Sequence, residues 1–232
     1  MNSSNKTSIY FLVYLMLTFI KIHYQIIEKE LIQVFILLCT NTLLWVYMFD
    51  NKDTETKGIN YAKLFLAFIT LGETYIIFYK NMTFLRLGMM FYLFSRLSLL
   101  LIISKGLTRF KLYTPFDYLK VFGPFVSSFI LCFFTYNQYQ LDFSLVILII
   151  SYGVIGSLLV SFLFYQKQSF SNIYLITAIL FFTIHDALGG FSFFNYNFDP
   201  TFTISYILIA LGNGLFALWF KYTFKTYIKS QL

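Results

Sequence analysis

The sequence predicts an all-α, polytopic integral membrane protein, a bundle of about eight transmembrane helices. Three observations predict it. Charged residues make up 12% of the chain, about half the ~25% of an average soluble domain. Mean hydropathy is +0.72. The apolar residues gather in runs of about 20, the length a helix needs to cross the hydrocarbon core.

The runs fall at roughly 8–24, 31–49, 59–79, 82–104, 117–136, 141–165, 170–194 and 201–221, and the breaks between them are polar or turn-forming. The first is interrupted near its end by Lys21 and His23. It follows a basic residue but no small-residue cleavage site, so it reads as a first helix and not a removed signal. The third and fourth are separated by little more than Lys80 and Asn81, which predicts a tight antiparallel hairpin. The longer breaks read "DNKDTETKG", "KGLTRFKLYTP", "YNQYQLD" and "NYNFDP". In the sixth run Gly153, Ser157 and Ser161 recur every four residues, a row that lets helix backbones approach closely. A polar passage is the other use of such a row. No Pro/Gly/Ser-rich linker and no convincing repeat divides the chain, so 1–232 reads as a single transmembrane helical domain.

The net charge of +7 does not point to nucleic acid, because the basic residues sit singly or in small groups at the ends of apolar runs, as topology-setting charges do. Membrane lipid is the expected electrostatic partner. On the side of the N-terminus lie Lys6, Lys52, Lys57, Lys63, Lys105, Arg109, Lys111, Lys120, Lys167, Lys221, Lys225 and Lys229. Opposite lie Lys21, Lys29, Lys80 and Arg86. The asymmetry predicts cytoplasmic N- and C-termini. Trp45 and Trp219 fall near cytoplasmic helix ends, where interfacial anchors sit. Phe (31) and Tyr (19) are abundant, but so are Ile, Lys and Asn, so codon bias explains the aromatics better than stacking does. Cys39 and Cys132 lie inside apolar runs with no metal-ligand or CxxC spacing and read as small packing residues. Neither a metal nor a cofactor is implied.

Four ionisable groups stand inside apolar runs: Glu73 in the third, Arg96 in the fourth, His185 and Asp186 in the seventh. A charge at the bilayer centre costs about 2.5–3.5 kcal/mol on insertion scales. At 1.5 Å rise per residue, Glu73 lies roughly 10 Å, Asp186 roughly 14 Å and Arg96 roughly 21 Å from the outer ends of their helices. The carboxylates can share a level that an arginine reaches from below, so Glu73, Arg96 and Asp186 are expected to form one electrostatic unit. That unit is either a structural salt bridge or the wall of a polar pocket opening toward the outer half of the bundle. Asn213, between Gly212 and Gly214 in the eighth run, either lines the same pocket or bonds to a neighbouring helix.

The layout resembles the YhhN-type lysoplasmalogenase family. That family's first motif runs Gly-Asp in helix three, then an aromatic, a glycine and a histidine in helix four. Here Gly72 and Glu73 stand for Gly-Asp, Phe84 and Gly88 follow, and Arg96 takes the place of the histidine. Its second motif, a small residue, Phe and then Ser-Asp, is similar to "AILFFTIHDAL", with Ala178, Phe182 and Asp186 matching and His185 in place of the serine. Tyr206 and Ala210 correspond loosely to a stretch of helix eight.

The resemblance implies hydrolysis of the vinyl ether of a lysoplasmalogen, a single-chain ether lysophospholipid, to a fatty aldehyde and a glycerophospho-head group. Two carboxyl groups suit that chemistry, one protonating the β-carbon and one stabilising the oxocarbenium ion, as in glycoside hydrolysis. Glu73 and Asp186 are the expected catalytic pair, with Arg96, His185 and Asn213 toward substrate. The alternative is a non-catalytic lipid-binding or structural bundle. An ion-coupled transporter ranks below both, for want of a repeated half or broken helices.

Overall fold

The computed structural model describes residues 3–27, 29–49, 57–78, 80–104, 107, 114–139, 143–166, 172–195 and 200–224. Three of the four longer breaks lie largely outside the described residues, as do Lys52, Lys105, Arg109, Lys111, Lys167, Lys225 and Lys229, whereas "YNQYQLD" is helical through Tyr139. Eight α-helices are described: α1 (Ser3–Ile26), α2 (Glu30–Phe49), α3 (Lys57–Ile77), α4 (Met82–Ser104), α5 (Pro115–Tyr139), α6 (Phe143–Leu163), α7 (Asn172–Asn195) and α8 (Pro200–Trp219), which runs on into a π-helical turn at Phe220–Phe224. Each overlies one predicted run. Segments Glu30–Phe49, Met82–Ser104, Phe143–Leu163 and Thr203–Thr223 are long and apolar enough to cross a membrane.

Local chemistry explains the helix starts. Asn81 caps α4 by accepting a bond from Thr83 N–H at 2.9 Å. Thr114 and Asp117 exchange side-chain and backbone bonds around Pro115, a capping box with proline at the first helical position. The predicted α3–α4 hairpin is tight for a specific reason. A Cβ on Gly88 would lie 2.8 Å from Ile76 and 3.1 Å from the Gly72 carbonyl, and one on Gly72 would lie 3.1 Å from the Tyr92 ring. The two glycines let the helices close on each other.

Helices α1, α2, α3, α4, α6, α7 and α8 pack in that order, and α8 returns to α1 and α2. Helix α5 stands outside, packed on α6. The interior is filled by Phe65, Ile69, Leu99, Ile179, Phe182 and Phe216, all buried. The exterior is apolar too: Leu31, Phe35, Phe129 and Phe143 are among many large exposed hydrophobic side chains. So much exposed apolar surface belongs in contact with lipid and not with water.

The small-residue row of α6 serves packing. Gly153 faces Cys132 and Ser128 of α5, Ser157 Oγ lies 2.8 Å from Ser128 Oγ, and Ser161 donates to the Val121 carbonyl at 3.0 Å. Pro124 lies in the same stretch of α5, and its missing N–H leaves the Lys120 carbonyl without its usual helical donor. Two expectations need correction. Trp219 is not an interfacial anchor: it is buried at 6% exposure, and its indole N–H donates to Asn172 at 3.3 Å, tying the end of α8 to the start of α7. Cys39 is exposed, on the outward face of α2 with Leu31, Phe35 and Leu38, whereas Cys132 does pack within the α5–α6 contact.

Candidate functional site

Arg96 projects from the middle of α4 between α7 and the core. Its Nε and Nη2 donate to Asp186 Oδ2 and Oδ1 at 2.8 and 2.9 Å. This is the two-point contact a guanidinium makes with a carboxylate anion. The guanidinium carbon also sits 4.3 Å from the centre of the Phe182 ring, within cation–π range. Phe182 reaches that place because Gly212 has no side chain: a Cβ there would lie 2.6 Å from the ring. Arg96 is fully buried, whereas the Asp186 side chain keeps 18% of its surface exposed. Arg96 Nη1 has no hydrogen-bond partner.

His185 precedes Asp186 and is held from α8. Its Nδ1 lies 2.7 Å from Ser205 Oγ and 2.9 Å from the Ser205 carbonyl. Its Nε2 faces Asp186 Oδ1 at 3.9 Å. The Tyr92 ring meets the imidazole edge to face at 5.5 Å, and its hydroxyl is buried without a partner.

Glu73 belongs to a different group. One carboxylate oxygen pairs with Lys21 of α1, and the other accepts from Asn213 Nδ2 at 3.3 Å. The Lys21 ammonium also lies 5.1 Å from the centre of the Tyr206 ring. Gly214 admits Phe11 and Tyr14 of α1, and Tyr14 donates to the Ala210 carbonyl at 2.6 Å, so α1 is seated against α8 beside the pair. Asn213 Oδ1 is buried and unpartnered.

The single unit of Glu73, Arg96 and Asp186 is therefore corrected to two ion pairs, Lys21–Glu73 and Arg96–Asp186. The sequence reading placed Lys21 among the outer-side charges. It is in fact 5% exposed, inside the bundle. The signal was present: Lys21 lies five residues before the end of α1 and Glu73 four before the end of α3. Those helices run in the same sense, so the two fall at one level. Among the described residues, the space found at Glu73 is small. The cavity bounded by Lys21, Glu73, Thr18, Thr40, Asn41 and Tyr206 measures ≈ 10 Å³, about the space of one water. A groove of ≈ 770 Å³ runs between α5 and α6, lined by Phe125, Phe129, Ile150 and similar side chains, and includes none of the charged residues.

Among the described residues, no group of three or more His, Cys, Asp or Glu side chains is placed to hold a metal. No protein-family model, curated protein or solved structure matches the chain.

Proposed function

We propose that this chain is an eight-span membrane hydrolase that cleaves the vinyl ether of a lysoplasmalogen-type, single-chain ether lysophospholipid, with both termini cytoplasmic. The observation that supports it is the half-buried Asp186. It carries a carboxylate held in one orientation by Arg96, next to a fixed imidazole, inside the bundle.

The reaction adds water across the enol ether. A proton goes to the β-carbon, leaving an oxocarbenium ion at the α-carbon. Asp186 stabilises that cation and takes a proton from the attacking water. The hemiacetal then collapses: its bond to the glycerol oxygen breaks, the oxygen takes a proton, and the fatty aldehyde leaves. Two groups are candidates for supplying the first proton. One is Glu73, the second of the two carboxyl groups this chemistry calls for. The other is His185 Nε2, 3.9 Å from Asp186.

The test is aldehyde release by purified protein given a lysoplasmalogen. Asp186→Asn keeps the size and should abolish release, and comparing Glu73→Gln with His185→Gln identifies the donor. One observation favours a second reading, a non-catalytic lipid-binding or structural bundle. Both carboxylates are already ion-paired, and the cavity beside Glu73 has room for no lipid group. Absence of aldehyde from every lysoplasmalogen tried would establish that reading instead.

A further inference from the structure

The surroundings of Glu73 are more specific than a charge needing a counter-ion would require. We propose that Glu73, Tyr206 and Asn213 form a binding site for a primary ammonium group, and that Lys21 fills it as an intramolecular occupant. The three site residues stand on α3 and α8, two helices of the inner bundle. They offer a carboxylate, an aromatic face at 5.1 Å and a side-chain amide. A carboxylate plus an aromatic face is the set that recognises ammonium ions, by charge on one side and ring quadrupole on the other.

Three features distinguish this from a pair that only neutralises itself. Asn213 Oδ1 is an acceptor at 1% residue exposure with no donor, although an ammonium brings three N–H groups. The space next to the pair carries the polar side chains of Thr18, Thr40 and Asn41 among the apolar ones of Ile22, Leu37 and Ala210. Lys21, finally, is carried by α1, which meets α8 over a short stretch while lying along α2 and exposing Leu12, Met16 and Phe19 on its outer face. The occupant therefore comes from one helix and the site from two others.

Glu73 lies four residues from the end of α3, roughly 6 Å along the axis. Two sources of the same chemistry exist: a free amine, and the amine of a lipid head group. If the ammonium belongs to the substrate of the hydrolysis, an assignment that rests on the proposed function, then Glu73 holds the head group and His185 is left as proton donor.

The test replaces the occupant. Lys21→Met in the full-length, detergent-solubilised protein leaves Glu73 without its cation. Methylammonium or ethanolamine, each compared with KCl at equal ionic strength, should raise the variant's melting temperature saturably by about 3 °C or more. The same amines should leave the unmodified protein and Lys21→Met/Glu73→Gln unmoved. No shift beyond that with KCl, or an equal shift in the double variant, overturns the proposal. Should Lys21→Met fail to fold, Lys21→Gln, which keeps a polar neutral side chain in its place, takes the same assay with the same expected and refuting results. In native mass spectrometry the Lys21 variant that folds should retain a single-chain lipid with an ethanolamine head group over one with a glycerol head group at least fivefold if the amine is that of a lipid, and adding Glu73→Gln should erase the preference. Retention of neither free amine nor ethanolamine lipid by that variant refutes the site. Binding of free amine to Lys21→Met without lipid preference assigns the site to a soluble amine.

Discussion

Arg96→Met is the sharpest perturbation of the Arg96–Asp186 pair. Methionine replaces the aliphatic stem and can still lie on Phe182, so the main loss is the charge. Breaking a buried pair from one side costs about 3–5 kcal/mol, because the other charge is left uncompensated. Two features of the structure pull the figure to the low end. Asp186 retains 18% side-chain exposure, so the stranded carboxylate keeps some outside contact. Arg96 Nη1 is already unpartnered, and removing it relieves a buried donor whose cost is about 1–3 kcal/mol. The guanidinium–Phe182 attraction, about 1–2 kcal/mol when desolvated, is lost in the other direction. The net is about 3 kcal/mol, or about 6–12 °C in melting temperature for a chain of this size. Thermal unfolding in detergent measures it against Lys29→Ala, an exposed position where a change within about 0.5 kcal/mol is expected. Arg96→Met/Asp186→Leu removes both charges and should recover most of the loss, since apolar replacement of a whole buried pair is often neutral or better. A single variant no worse than Lys29→Ala, or a double variant as damaged as the sum of its singles, would refute the reasoning.

The remaining predictions follow from neighbouring geometry. If the two ion pairs are separate, the losses from Lys21→Met and Arg96→Met add within about 0.5 kcal/mol, and a larger coupling in a double-variant cycle would restore a single unit. Gly212→Ala forces a Cβ to within 2.6 Å of Phe182 and should lose about 1–3 kcal/mol of stability. Gly156→Ala, where nothing lies within 4 Å, should lose nothing and gain about 0.5–1 kcal/mol from helix propensity in the same unfolding assay. In a Cys39→Ser/Cys132→Ser background, cysteines at positions 29 and 80 should react with an impermeant thiol reagent added from outside, and one at position 114 should not. The reverse pattern would invert the proposed orientation.

The helices were legible because each is an apolar run ended by residues that stop it, and a run of that length has few ways to satisfy its backbone other than helically. The identity of the costly residues was legible as well: Glu73, Arg96, His185, Asp186 and Asn213 all lie in or against the two polar clusters. Their partnerships were less so. Depth along a helix is a one-dimensional coordinate, and it put Glu73, Asp186 and the reach of Arg96 in one slab. It carries no information on which helix stands beside which. Lys21 was misplaced for a related reason. A lysine five residues from a helix end can extend to the interface or turn inward, and only the carboxylate on a helix not adjacent in sequence decides. Trp219 repeats the case, since its partner Asn172 lies 47 residues away.

The separation of the pairs bears on how such a bundle finds its arrangement. Between helices in lipid the tails are as apolar as the side chains, so burial alone does not choose a partner. Each ion pair here joins helices that are not consecutive: Lys21–Glu73 links α1 to α3, and Arg96–Asp186 links α4 to α7. Shifting either pair by one helical turn moves an end by about 5.4 Å, which strands a charge. Misregistered packings are penalised by the same cost that makes the charges expensive to place. The exchanged pairing, Lys21 with Asp186 and Arg96 with Glu73, would be equally neutral in charge. It is opposed by shape: Asp186 accepts a guanidinium at two points above Phe182, and Glu73 accepts a single ammonium beside Tyr206 and an amide. Arginine and lysine are not interchangeable at such sites, so the geometry that separates the two carboxylates also distinguishes what each can bind.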